Sequence, residues 1–159
     1  MTSYQTRRLA GRKPLSMIVK NPVYQAYAAK PMSVSLQTTQ ALDARLSFDA
    51  AIAGRATRDD RETLAGVANC FVVLAKKHCI QADLEAAQAA QMALLRADAR
   101  VMDGAEVWNF DSEGRQAMLV ALDAFEQLVA QVGHGAVSSA LVTVMELTAR
   151  GKVHKVLQT

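Results

Sequence analysis

Three residues whose side chains can bind metal ions lie close together in the sequence: Cys70, His78 and Cys79. A zinc site needs convergent ligands, usually four, drawn from paired short spacings. The segment that holds these residues has the pattern of a helix, in which each residue turns the chain by about 100°. Cys70 and Cys79, nine positions apart, therefore point to opposite sides. We expect no metal site, but a buried thiol and a second thiol at the helix end.

Motifs for other chemistry are missing from the sequence. It has no Glu-x-x-His, no Gly-x-Ser-x-Gly and no Gly-Lys-Ser/Thr phosphate loop. His134, between Gly133 and Gly135, could be a mobile general base, but no nucleophile or orienting carboxylate is recognisable beside it, so an interhelical turn is favoured. We expect no enzyme, no cofactor and no identifiable small-molecule substrate, although an active site need not carry a motif.

Charge is distributed unevenly along the chain. The formal net charge is only +3, but no acidic residue precedes Asp43, so residues 1–42 carry +6 and the remainder carries −3. An extended basic arm can neutralise phosphates and enter a minor groove. A solvated tail that keeps the protein soluble is the alternative. The candidate nucleic-acid-binding residues, for DNA or RNA, are Arg7, Arg8, Arg12, Lys13 and Lys20.

Two short stretches resemble known DNA-binding motifs. Gly11-Arg12-Lys13-Pro14 resembles the Gly-Arg-Pro core of an AT-hook, but Lys13 is inserted and Ala10 replaces an arginine, which favours phosphate contact over base reading. The stretch Leu74–Ile80 resembles a helix-turn-helix core, with Cys79 in place of the turn glycine. Its second helix would open with Asp83 and Glu85, which would face phosphates, so an ordinary helix hairpin is favoured.

Helices must carry these residues, because the chain is rich in alanine and only 5% aromatic. Start and stop signals predict five of them: from Ser33 to Gly54, from Thr57 to Lys77, from Ala82 to Met102, from Asp111 or Ser112 to Val132, and from Ala136 to Ala149. The predicted buried stripes are Leu36, Leu42, Leu46 and Ala50; Leu64, Val67, Ala68, Phe71, Leu74 and Ala75; Leu84, Met92, Leu95, Ala99 and Met102; Met118, Leu122, Phe125, Val129 and Val132; and Val137, Leu141, Val144 and Leu147.

The predicted fold is all-α: a single-domain bundle of about five helices with an extended basic N-terminal arm. The arm covers residues 1–32, the bundle 33–150 and a short basic tail 151–159. Val23-Tyr24-Gln25-Ala26-Tyr27 is the arm's predicted anchor on the body. Val107, Trp108 and Phe110 are expected to fold back over one end of the bundle.

The cellular compartment is predicted from the features that the sequence lacks. Two cysteines cannot form a disulfide scaffold, and the longest apolar stretch, Ala65 to Ala75, is far too short to span a membrane. The apolar run Leu15–Val19 is too small for a signal peptide. We expect a cytoplasmic protein without a membrane partner. A mitochondrial transit peptide is the open alternative, although three prolines interrupt any long amphipathic helix in the arm.

Several short features resemble a group of uncharacterised small helical proteins of proteobacterial phages and mobile elements. They are Lys20-Asn21-Pro22, Thr57-Arg58-Asp59-Asp60 before Leu64-Ala65, and Trp108 ahead of a helix with Glu113 and Arg115. The resemblance spans roughly residues 20 to 130. It implies a bacterial or phage origin and an accessory role, and it supplies no catalytic or binding residue.

We therefore predict a non-enzymatic accessory or regulatory protein that associates with nucleic acid through its arm. The alternative is a helical protein–protein interaction module, self-associating or partner-binding, without nucleic-acid binding. Four methionines at helical positions could give such a module an adaptable surface, although methionine at this spacing is more often core: Met92, Met102, Met118 and Met145.

Overall fold

The structure is a computed structural model that describes residues 29–30 and 33–150. It contains five helices in that part of the chain: α1 (Val34–Ile52), α2 (Arg58–His78), α3 (Gln81–Met102), α4 (Ser112–Gln131) and α5 (His134–Ala149). The predicted all-α bundle is therefore confirmed. Most of the predicted arm and the whole predicted tail lie outside the described residues.

Local sequence signals set the helix ends. Thr57 caps α2, because its hydroxyl accepts the Asp60 N–H while the Asp60 carboxylate accepts the Thr57 N–H at 2.8 Å. Asp111 caps α4 by accepting the Gly114 N–H at 2.6 Å. Gly54, just after α1, has a φ of +67°, a left-handed conformation that glycine adopts without strain. Cys79 ends α2 in the same region, with a φ of 57°.

The first four helices form a closed ring around the core. Each packs against the next one in sequence, and α4 returns to pack against α1. Short connections make successive helices antiparallel. The fifth helix packs outside this ring, against α2. Consequently the start of α1, the end of α2, the end of α4 and the start of α5 all lie at one end of the bundle.

The predicted stripes of α2 and α4 are correct. In α2 all six residues except the half-buried Val67 are buried, and in α4 the whole stripe is buried through Val132. The rings of Phe71 and Phe125 meet edge-on in the core, with centroids 5.8 Å apart. Large apolar residues at three- and four-residue spacing therefore marked the core faces of these two helices.

The predicted stripes of α1 and α3 are mostly wrong, although Leu84 packs against the core and Ala50 and Leu95 are half-buried. Leu42 and Leu46 are 54% and 57% exposed, and Met92 and Met102 are 48% and 87% exposed. The helices instead bury mainly small residues, which allow close approach of neighbouring backbones: Ala44, Ser47 and Ala51 in α1, and Ala87, Ala90, Ala93 and Ala97 in α3. The larger buried residues of these two helices are Phe48, Gln91 and Leu94. In α5 only the first residue of the predicted stripe, Val137, is buried, and Leu141 is 40% exposed.

The α2–α3 connection is an antiparallel hairpin rather than a helix-turn-helix. Deep in the interface the Gln91 Nε2 donates to the Asn69 Oδ1 at 2.8 Å. Asn69 lies ten positions before Cys79, and Gln91 lies eleven positions after Ile80, so each is about 15 Å from the turn. In a helix-turn-helix the helices diverge at about 90–120°, which would separate the two amides by more than about 20 Å. The favoured interpretation is confirmed.

The loop between α3 and α4 covers one end of the bundle largely as predicted. Trp108 and Phe110 are 7% and 1% exposed and stack edge to face, with ring centroids 5.2 Å apart. The Trp108 indole N–H donates to the Asp98 carboxylate at 2.7 Å. Val107, which was expected to join them, is 42% exposed.

Candidate functional site

The predicted nucleic-acid-binding residues lie outside the described part of the chain, and so does the predicted anchor at residues 23–27. They are Arg7, Arg8, Arg12, Lys13 and Lys20. The structure does describe where the arm joins the body. The Lys30 carbonyl accepts the backbone N–H of His134, the first residue of α5, at 2.8 Å. The chain therefore enters the bundle beside the start of α5.

Charge at this end of the bundle is mixed. Lys76 and Lys77 are exposed in the last turn of α2, where they complement the negative end of the helix dipole. Helix α3 follows α2 after a connection of two residues, and its first two turns carry Asp83 and Glu85. The body offers no concentrated basic patch at this end among the described residues.

Arg45 of α1 pairs with two carboxylates of α4 at the partly exposed edge of the helix interface. It donates to the Glu126 carboxylate of α4 at 2.8 Å and also to Asp123. Hydrogen bonding to Glu126 first, then to Asp123, raises the pKa of Arg45 above its ordinary value. This forked contact links α1 to α4 and neutralises the guanidinium with two carboxylates.

Five more arginines contact groups of the body itself, so six of the eight arginines in residues 33–150 are engaged. Residues 33–150 contain ten basic and fifteen acidic residues, a formal charge of −5. The bundle therefore repels nucleic acid on average. The five are Arg58 with Glu62 at 2.7 Å, Arg96 with Glu113 at 3.3 Å, Arg61 over the Trp108 ring at 5.8 Å, Arg115 with the Phe110 carbonyl at 3.1 Å, and Arg100 with the Asn109 carbonyl.

A cleft of about 220 Å³ between α1, α2 and α5 was not predicted from the sequence. Its floor is apolar, with buried Cys70, Phe125 and Val137, while Asp43 and Glu62 lie exposed at its rim. The residues come from four helices, so no hydrophobic periodicity within one helix marks the cleft. A second cleft, of about 200 Å³, lies between α1 and α4.

The two cysteines are placed as expected. Cys70 is 1% exposed, and burial raises the pKa of its thiol to about 12. Cys79 is exposed at the end of α2. No group of three or more His, Cys, Asp or Glu side chains is arranged to hold a metal ion within the described ranges.

His134 occupies the first position of α5, where the sequence predicted only a turn. Its Nδ1 lies 3.3 Å from the Ser138 hydroxyl, four residues later on the same helix face. The sequence analysis named no hydroxyl group as a partner of this histidine. The i, i+4 spacing was the signal that could have found it.

Methionine supplies surface as well as core. Met118 is 1% exposed, but Met92, Met145 and Met102 are 48%, 71% and 87% exposed. The expectation that these methionines would be core therefore holds only for Met118. The three exposed methionines, together with Leu42 and Leu46, place large apolar side chains on the surface of the bundle.

Within the described residues, none of the helices has the length and apolar character needed to cross a membrane. Comparison with protein-family models, with curated proteins and with solved structures finds no match for this chain.

Proposed function

We propose that this chain is a non-enzymatic accessory protein that associates with nucleic acid through its basic N-terminal arm. The observation that carries the proposal is the separation of charge. The body has a formal charge of −5 and engages six of its eight arginines internally, whereas residues 1–32 hold six basic residues and no acidic one. The arm is therefore the part of the chain with the greatest excess of positive charge, which favours it for phosphate contact.

In this mechanism Arg7, Arg8, Arg12 and Lys13 neutralise phosphates, and Lys20 adds a contact nearer the body. The bundle fixes the point from which the arm extends, through the Lys30–His134 backbone hydrogen bond. Contact with phosphates alone gives affinity without base preference.

The test is fluorescence anisotropy of a labelled DNA duplex with the full chain across salt concentrations. A variant with Arg7, Arg8, Arg12 and Lys13 changed to alanine should lose about 0.9 of salt slope per lost phosphate contact, or about 3.6 in all. The matched control changes Lys76 and Lys77, which are exposed on the body, and should keep most of the slope. The proposal fails if the intact chain does not bind at low salt, or if the arm variant keeps the full slope.

A second function, a partner-binding or self-associating module, is favoured by the surface of α1. Leu42 and Leu46 lie one turn apart and are both more than half exposed. Light scattering on the same samples separates the two functions. A stable oligomer that ignores nucleic acid, and that Leu42→Ser with Leu46→Ser dissociates, would favour this module.

A further inference from the structure

The cleft between α1, α2 and α5 is a small apolar groove with room for a single large side chain. Its volume is about 220 Å³, and its floor is formed by the buried side chains of Cys70, Phe125 and Val137. Leu141 is 40% exposed at its edge. The floor itself is buried, and Leu141 is the apolar side chain that this concave site presents to solvent, where a further apolar group could cover it.

Gly66 on α2 lines this groove and is unexplained by the packing of the bundle. A glycine inside a helix costs about 1 kcal/mol relative to alanine. A Cβ atom built on Gly66 would meet nothing within 4 Å among the described atoms, whereas one on Gly114 would lie 3.3 Å from the Ala93 Cβ. A Cβ on Gly114 would also come within 2.9 Å of the Asp111 Oδ1 that caps α4, so the surroundings of Gly114 favour glycine. Gly66 instead leaves room for close approach by something that enters the groove.

The N-terminal part of the chain begins its path at the mouth of this groove. Lys30 is bonded to His134, and Val137 lies one turn further along α5. From Val137 to Leu141 the helix rises by about 6 Å. Residues 23–27 precede Lys30 by three to seven positions, which gives about 10–25 Å of reach when extended. This reach exceeds the rise of about 6 Å between Val137 and Leu141, so the tether is long enough to bring these residues to the groove.

The chemistry of this segment matches the groove. Residues 17–27 carry one charge, Lys20, and several large side chains: Met17, Ile18, Val19, Val23, Tyr24 and Tyr27. The groove has an apolar floor, and the Glu62 carboxylate at its rim is already paired with Arg58 at 2.7 Å, so the match is between apolar surfaces. We propose that residues 17–27 of the same chain dock against this groove, with the Tyr27 side chain entering it near Val137. This docking does not depend on nucleic-acid binding.

Amide hydrogen exchange of the full chain, followed by mass spectrometry, tests the docking. Residues 17–27 should exchange at least about tenfold slower than the intrinsic unprotected rate. Gly66→Leu fills the groove from open space and should abolish that protection. The matched control, Ala89→Leu, adds a similar side chain to the exposed face of α3 and should leave the protection unchanged.

A second variant distinguishes the loss of docking from a folding defect caused by Gly66→Leu. Leu141→Lys changes a side chain that is already 40% exposed and places a positive charge against the segment, so it should also abolish the protection. Far-UV circular dichroism confirms that each variant is folded. Unprotected residues 17–27 in the native chain, or protection that both groove variants leave intact, would overturn the docking. Protection that rises with protein concentration would assign the segment to a second copy and would also overturn it.

Discussion

The buried amide pair between α2 and α3 offers the most direct test of how the bundle is held in register. Asn69 and Gln91 are 5% and 2% exposed, and the Gln91 Nε2 donates to the Asn69 Oδ1 at 2.8 Å. Gln91→Leu keeps a side chain of similar size but removes the donor. The Asn69 oxygen then stays in the core without this hydrogen bond.

Leaving one buried polar group unsatisfied costs about 1–3 kcal/mol. For a chain of 150–250 residues each kcal/mol lowers Tm by about 2–4 °C, so Gln91→Leu should lower it by roughly 2–12 °C. The double variant Asn69→Leu, Gln91→Leu removes both polar groups and should recover much of the loss, since replacing a whole buried pair with apolar groups is often nearly neutral.

Thermal and urea unfolding, followed by far-UV circular dichroism, give the four free energies of this cycle. Gln127→Leu, the same change at an exposed position of α4, is the control and should stay within about 0.5 kcal/mol of the parent. If Gln91→Leu is as stable as the parent, or if the double variant is less stable than either single one, the reasoning about this pair is refuted.

Two other features of the body give further predictions. Thr57→Ala removes the α2 cap and should lower the free energy of unfolding by about 1 kcal/mol in urea titration, while Thr57→Ser should keep it. Hydrogen bonds from Thr57, side chain first, lower the pKa of Asp60, so its stabilising effect is present above the ordinary carboxyl pKa and is lost as pH falls through the folded-state value. The stability gap between the parent and Asp60→Asn should therefore shrink in acid, and a constant gap would contradict this. Because burial raises the pKa of Cys70 to about 12 and Cys79 is exposed, a maleimide should modify one thiol in the folded chain and two after denaturation, as mass spectrometry would show.

The sequence predicted best the helices whose cores are built from large side chains. In α2 and α4 leucine, phenylalanine and methionine recur on one face, and that face is buried. In α3 the interface is mostly alanine, whose hydrophobic contrast with polar residues is small. The larger Met92 and Met102 then dominate the apolar pattern although they lie on the surface. Small-residue packing leaves too weak a periodic signal to locate the buried face.

The groove could not be predicted for a different reason. Its walls come from α1, α2, α4 and α5, and only the tertiary fold brings Asp43 and Leu141 to one site. Gly66 was the single local sign, because a glycine inside a strongly predicted helix is unfavourable without a compensating role. The origin in a phage or mobile element, which the short sequence resemblances imply, stays a prediction.

The order of residues along the N-terminal arm allows its two proposed roles to coexist. The large apolar side chains begin mainly at Met17, whereas Arg7, Arg8, Arg12 and Lys13 precede them. Docking of residues 17–27 would hold the apolar part against the body and leave the charged part beyond the groove. The body, residues 33–150, has a formal charge of −5 and would still attract these cations, so phosphates must compete with its Asp and Glu side chains. Salt weakens both attractions, but only phosphate binding releases the condensed counterions of a duplex. A steep salt slope for DNA alongside salt-insensitive protection of residues 17–27 would therefore assign the charged and apolar parts of the arm to separate surfaces.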